Sequence, residues 1–178
     1  LVGADFFDNM SVLYSEAYPL SCGDLREAGS CFPEFIQEFA PLSALPYMGD
    51  VARLEWICHE SMCASTQTMV RDSSSPARTT VSMAPHARLL KSKYPIAEIW
   101  DFALREHASD SSRLDITNSE PCHLLVMRPN LDVEVLQVKQ EEWEWLADIA
   151  VAGVNADNVG SGEQRRVEFW LSRGALVL

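Results

Sequence analysis

The fold is decided by the stretch CHLLVMRPNLDVEVLQV, which occupies residues 122–138. Its first part, Cys122–Arg128, is dominated by apolar residues and predicts a β-strand. Pro129 and Asn130 are residues typical of a turn. The last part, Asp132–Val138, alternates side chains between two faces, as a half-buried strand does. Two such runs separated by turn residues predict an antiparallel hairpin.

The residues after the hairpin predict two helices. The first spans about residues 141–151 and ends at Gly153, because glycine commonly terminates helices. The second spans residues 162–172, and the apolar run at 175–178 predicts a short terminal strand. A hairpin followed by two helices resembles a winged-helix module. Modules of that kind read DNA or hold an extended peptide.

Six further segments show a regular apolar pattern. Recurrence every three or four residues predicts helices, and short β-like runs predict strands. The helical segments are residues 6–17, 33–39, 47–64 and 96–104, and the strand-like segments are residues 79–83 and 87–91. We therefore predict an α+β fold, with an N-terminal helical lobe followed by a small antiparallel sheet and winged-helix-like helices.

A polar segment at residues 65–78 separates these patterns. It contains three consecutive serines followed by a proline, a composition typical of loops and linkers. We therefore predict a helical lobe at residues 1–66, a linker at 67–78 and an α+β lobe at 79–178.

The chain is acidic, with a formal net charge of −12. Residues 1–66 hold ten acidic and two basic residues, a net charge of −8, and residues 67–178 contribute the remaining −4. Affinity for nucleic acid rests mainly on Lys and Arg side chains that neutralise phosphates. We therefore predict no nucleic-acid partner, and a basic or neutral peptide or protein fits better.

One segment departs from the acidic character of the chain. Residues 73–93 hold four basic residues and no acidic one, and Arg88 and Lys91 lie on a predicted strand within it. Two interpretations stay open, a solvated strand or a docking surface for an acidic partner.

The cysteines favour a reducing compartment. Cys22, Cys31, Cys58, Cys63 and Cys122 are odd in number and form no CxxC pair. Reduced thiols in a cytoplasmic protein are the simpler interpretation. No window approaches about 18 consecutive apolar residues, so we predict no membrane-spanning helix.

A candidate metal site lies on the third predicted helix. His59 and Cys63 are four residues apart and share a helix face, and Glu60 follows His59 as in zinc-protease helices. A catalytic zinc needs a third protein ligand, which no further motif supplies. The sequence also contains no GxSxG, no P-loop and no GxGxxG. We therefore predict no metal site and no catalytic residue in this chain.

Several segments of the chain resemble one bacterial family, once described as DNA-binding, that includes HvfC and the methanobactin biosynthesis protein MbnC. The most specific segment is LPYMGDVARLEW at residues 45–56. The others are GDL at 23–25, FPEF at 32–35, LLKSKYPI at 89–96, IW at 99–100, LVMRP at 125–129 and FWLSRGA at 169–175.

The resemblance implies a cytoplasmic subunit that pairs with a DUF692-type (MbnB-like) TIM-barrel iron enzyme. The pair would bind a ribosomally made precursor peptide and convert its cysteines to oxazolone and thioamide groups, as in the copper-chelating methanobactins. The iron and the oxidative chemistry would belong to the partner, so this chain would bind no cofactor. Longer relatives carry additional helices ahead of the position of Leu1, so the resemblance implies either the shorter MbnC-like branch, which the length favours, or a further segment ahead of Leu1.

The second lobe is expected to hold the precursor peptide. An extended peptide can add as a strand to an exposed sheet edge. The alternative is a capped sheet that binds no ligand, because exposed edges are usually blunted. We place the edge at Leu124, Leu125, Val126, Met127 and Arg128.

The first lobe is expected to dock the enzyme through Arg53, Glu55 and Trp56, with Arg88 and Lys91 as further contacts. The alternative for the first three residues is an internal salt bridge beside a core tryptophan. For the whole chain, the second hypothesis is a winged-helix DNA-binding transcriptional regulator, whose affinity would fall steeply with salt.

Overall fold

The computed structural model describes residues 2–20, 23–65, 80–104 and 120–178. The helices in these ranges are α1 Ala4–Ala17, α2 Phe32–Glu38, α3 Met48–Cys63, α4 Ile96–Leu104, α5 Gln140–Ala152 and α6 Ser161–Ser172. The strands are β1 Thr80–Met83, β2 Arg88–Ser92, β3 Cys122–Met127, β4 Glu134–Gln137, β5 Val154–Asn155 and β6 Leu176–Val177. The predicted α+β class is confirmed. Among the described residues, no helix is both long enough and apolar enough to cross a membrane.

The chain forms two compact units, and each is built from two stretches of sequence. Unit 1 contains Leu1–Trp56 and Ser92–Glu120, and unit 2 contains Ile57–Lys91 and Pro121–Leu178. Unit 1 therefore includes α4 as well as the N-terminal helices. The predicted linker lies outside the described residues, so the predicted division into two consecutive lobes stays a prediction.

Unit 1 is built on the apolar face of α1. Met10 and Tyr14 are its buried residues, as their four-residue spacing requires. Met10 packs in one cluster with Ile36 of α2 and Met48 of α3. The Tyr14 hydroxyl donates a hydrogen bond to the carbonyl of Ala28 at 2.8 Å, which ties α1 to the segment that leads into α2.

The first sheet of unit 2 has the strand order β5-β1-β6. β1 pairs antiparallel with both neighbours, so that Val81 lies opposite Val154 of β5 and Met83 lies opposite Leu176 of β6. The strand at residues 79–83 was predicted from the sequence, but β5 was not. Two residues carry too little alternation to predict a strand, and β5 exists only because β1 lies beside it.

The second sheet has the strand order β2-β3-β4. Strands β3 and β4 pair antiparallel with Leu125 opposite Leu136, so the predicted hairpin is confirmed. The connection runs over residues 128–133 and is longer than the predicted proline–asparagine turn. On the side of β3 that faces β2, the Arg128 N–H donates to Nδ1 of His86 at 3.1 Å.

One apolar core joins the elements of unit 2. It takes side chains from both sheets and from the inner faces of α5 and α6, and almost all of them are fully buried. Burial of such side chains from two sheets and two helices is the main stabilising term for a unit of this size. Its central members are Val81, Leu125, Met127, Leu146, Ile149, Val167, Trp170 and Leu176.

Candidate functional site

The predicted peptide-binding strand β3 is the central strand of its sheet, with β2 on one side and β4 on the other. The four residues Leu124–Met127 are each 0% exposed. The placement of an exposed edge at Leu124–Arg128 is therefore wrong, because both rows of β3 backbone groups already face neighbouring strands. Four consecutive apolar residues without alternation are typical of a strand buried on both faces.

Arg128, the last residue of the predicted edge, binds the end of α3. Its Nε donates to the carbonyl of Ser61 at 2.9 Å and its Nη2 donates to the carbonyl of Ala64 at 2.7 Å. The last carbonyls of a helix have no partner within the helix, so a guanidinium group there stabilises the helix end. Arg128 therefore has a structural role, and its role in holding a peptide stays a prediction.

Both β2 and β4 are edge strands beside β3, and β4 has a single strand neighbour among the described residues. The N–H of Val138 donates to the carbonyl of His123 at 2.9 Å, which makes these two residues a hydrogen-bonded pair. Bonded and non-bonded pairs alternate along an antiparallel ladder. Leu136 and Glu134 therefore direct their backbone groups toward β3, whereas Val135 and Gln137 direct theirs away from it.

Both ends of β4 are held in place. At its start, Nη2 of Arg173 binds Oε2 of Glu134 at 2.9 Å. After its end, the Val138 bond continues the ladder to β3, and Leu136 and Val138 pack against the core of unit 2. The outward backbone groups of Val135 and Gln137 are therefore presented on a strand whose register cannot slip without exposing apolar side chains.

The alternation in residues 132–138 could have revealed β4 as the edge. Val135 and Gln137 share one face of the alternating strand, opposite the face of Leu136 and Val138 that packs on the core. A half-buried alternating strand is more consistent with a sheet edge than a continuous apolar run is. The direction of the backbone groups could not be predicted, because it depends on the register with β3.

The three residues predicted to dock an enzyme lie on α3, and two of them have contacts within unit 1. Arg53 forms an ion pair with Glu34 of α2, so the alternative of an internal salt bridge accounts for it. A Cβ built on Gly29 would lie 2.9 Å from Cζ3 of Trp56, so the indole packs on that backbone. Glu55 is exposed. Docking through these residues stays a prediction.

The two predicted basic contacts, Arg88 and Lys91, each have a partner in unit 2. Arg88 lies 3.5 Å from a carboxylate oxygen of Glu60 and donates to the carbonyl of Pro85 at 2.7 Å. The Lys91 ammonium lies 5.4 Å from the ring centroid of Trp143, within the range of a cation–π contact. These contacts agree with a solvated strand, and a docking role for either residue stays a prediction.

The candidate metal pair is brought together on α3. Cys63 Sγ and His59 Nε2 lie 3.6 Å apart on an exposed part of the helix. Two ligands do not make a zinc site, which takes three or four protein ligands. Within the described ranges, no group of three or more His, Cys, Asp or Glu side chains is arranged to hold a metal ion.

Comparisons with known proteins add no further assignment. No protein-family model matches the chain, and no curated protein matches it at a significant level. The geometry of the two sheets and the segments that resemble the HvfC and MbnC family are therefore the basis for a functional proposal.

Proposed function

We propose that this chain is a non-catalytic subunit that binds an extended peptide by strand addition at β4 and presents it to a separate metalloenzyme. The observation that supports the proposal is the pair of outward backbone groups at Val135 and Gln137 on a strand fixed in register. Main-chain hydrogen bonds at such an edge provide affinity, and alternate side chains of the peptide provide selectivity. This moves the peptide from the predicted strand β3 to the neighbouring strand β4.

The identity of the enzyme and the peptide rests on the resemblance carried by residues 45–56 and the other matching segments. On that basis the partner is a DUF692-type TIM-barrel iron enzyme in a heterodimer with this chain. The peptide is a ribosomal precursor whose cysteines become oxazolone and thioamide groups in methanobactin biosynthesis. The iron and the oxidation belong to the partner, and this chain contributes binding and orientation.

The charge of the chain supports a peptide ligand over DNA. A net charge of −12 repels the phosphate backbone, on which most nucleic-acid affinity depends. The same charge attracts a basic peptide and raises its rate of association. The DNA-binding regulator therefore stays the second hypothesis, without a specific contact in its favour.

Replacing Val135 with proline tests the edge directly. Proline removes the outward N–H, and proline is tolerated on an edge strand when its nitrogen faces away from the ladder. Calorimetry with a ribosomal precursor peptide of the methanobactin type should show affinity weakened at least about tenfold. Val135→Thr retains both the N–H and the branched side chain and should bind as the wild type does.

Gln137→Pro removes the second outward N–H and should also weaken peptide binding. Denaturant unfolding of each variant establishes that the sheet is intact. A folded Val135→Pro protein with wild-type affinity would overturn the proposed edge. Binding of labelled DNA that weakens steeply with salt would favour the regulator instead.

A further inference from the structure

Three side chains that carry metal-binding atoms lie together at the C-terminal end of α3. His59 and Cys63 are four residues apart, and Sγ of Cys63 lies 3.6 Å from Nε2 of His59. Met62 comes three residues after His59, and residues three and four apart are neighbours on a helix surface. We call His59, Met62 and Cys63 the α3 cluster. All three residues belong to unit 2.

The α3 cluster is open to solvent. Met62 is 62% exposed, Cys63 is exposed and His59 is partly exposed. The thioether of a methionine is carried on a flexible side chain with three rotatable bonds, so it adjusts to an ion that other groups hold. A metal ion therefore reaches the α3 cluster without movement of the helix backbone.

The distance between the thiol and the imidazole suits two ligands of one ion. Without a metal, this contact is a weak hydrogen bond between Sγ and Nε2. Metal–sulfur bonds in proteins are about 2.3 Å long and metal–nitrogen bonds about 2.0 Å long. With these bond lengths, donor atoms 3.6 Å apart subtend an angle of roughly 115° at the metal. That angle leaves room for a third ligand, and the Met62 thioether is the neighbour that supplies it.

We infer that the α3 cluster binds a single soft, polarisable ion of the copper(I) type. Thiolate and thioether ligands select such ions, and imidazole also suits copper. Zinc takes three or four His, Cys, Asp or Glu ligands, and within the described ranges no third group of that kind completes the site. Binding releases the thiol proton of Cys63 to solvent, so the thiolate and the monovalent ion form a neutral complex.

Metal binding at the α3 cluster does not depend on strand addition at β4. The α3 cluster uses side chains of a helix, whereas the proposed peptide edge uses backbone groups of Val135 and Gln137. Val135→Pro should therefore leave metal affinity unchanged. Loss of peptide binding and loss of metal binding are thus separate results.

The test titrates the full, reduced chain with copper(I) without oxygen, in competition with a coloured copper(I) chelator. The wild type should withdraw one equivalent of copper(I) from the chelator. Cys63→Ser should weaken the affinity at least about 100-fold, and His59→Gln and Met62→Leu about tenfold each, because each variant lacks one ligand. Cys31→Ser is the matched control, because Cys31 is a free cysteine outside α3, and it should bind copper(I) as the wild type does.

A second measurement on the wild type identifies the thioether ligand without a substitution. One equivalent of silver(I), a stable analogue of copper(I), should shift the nuclear magnetic resonance signal of the Met62 methyl group. An unchanged Met62 signal would overturn the inference. Uptake of several copper(I) ions per chain, or wild-type affinity in folded His59→Gln and Met62→Leu proteins, would show unspecific binding to thiols and would overturn it as well.

Discussion

The indole Nε1 of Trp170 in α6 donates a hydrogen bond to Oε1 of Glu142 in α5 at 2.6 Å. Trp170 is only 5% exposed, so its N–H has little access to water as an alternative acceptor. The same carboxylate accepts from Nη2 of Arg166 at 2.9 Å. Glu142 therefore joins the two helices that cover the core of unit 2.

Glu142→Ala should destabilise the protein by about 2 kcal/mol, because a buried N–H that loses its acceptor costs about 1–3 kcal/mol. The partly exposed ion pair with Arg166 adds little to that figure. Glu142→Gln retains an oxygen acceptor for Trp170 and should lose less than about 1 kcal/mol. Urea unfolding measures both values. If Glu142→Gln lowered the free energy of unfolding as much as Glu142→Ala does, the stabilisation would come from the charge of Glu142 and not from its hydrogen bond with the indole.

Gly153 should tolerate no side chain. Its φ of +65° lies in a region that residues with a side chain rarely adopt, and a Cβ would lie 2.9 Å from Cγ2 of Thr80. Gly153→Ala should therefore lower the free energy of unfolding by about 1–3 kcal/mol. Gly162→Ala in α6 is the matched control, because a Cβ there meets nothing within 4 Å.

The control substitution should change the free energy of unfolding in the opposite direction. Alanine in a helix is favoured over glycine by about 1 kcal/mol, so Gly162→Ala should stabilise the protein slightly. Thermal unfolding of the two variants compares them directly. A Gly153→Ala protein as stable as the wild type would mean that β1 and the end of α5 do not approach as closely as the structure places them.

His86 should make the stability depend on pH. Burial lowers the pKa of its imidazole below the ordinary value of 6.5, and the positive charges of Arg128 and Arg88 act in the same direction. The folded state therefore favours the neutral ring, whose Nδ1 accepts from the Arg128 N–H. The stabilisation is fully present above pH 6.5 and is lost as the pH falls through the lower, folded pKa.

His86→Asn retains an acceptor near the position of Nδ1 but cannot titrate in this range. Urea unfolding between about pH 7 and pH 5 should show a steeper loss of stability for the wild type than for the variant. Nuclear magnetic resonance titration of the His86 imidazole provides a second measurement, with a midpoint expected below 6.5. If the stability of both proteins fell equally with pH and the His86 imidazole titrated at its ordinary midpoint, His86 would not be the source of the pH dependence.

Most of the elements could be predicted from local patterns. The periodicity of residues 6–17 and 47–64 corresponds to α1 and α3, and the alternation in residues 132–138 corresponds to β4. Such patterns are local because each helix or strand buries one face of its own sequence. The two-residue strands β5 and β6 depend on pairing with β1, so the sequence predicted only the second of them, from its apolar run.

The candidate site was harder to predict than the fold. A hairpin was evident in the sequence, but which of its strands forms the edge depends on β2, which lies some 30 residues earlier in the chain. Sequence separation of that size carries no pairing signal in a single sequence. The edge was therefore predicted on the central strand β3, whereas β2 and β4 form the edges of the sheet.

By itself, the sequence determined the α+β class, most of the helices and strands, the acidic character of the chain and the segments that resemble one family. These properties follow from local spacing and from composition. Only the tertiary structure decided that β3 is enclosed and that Val135 and Gln137 direct their backbone groups outward. Those features depend on contacts between residues far apart in the chain, where packing and register, and not local preference, select the arrangement.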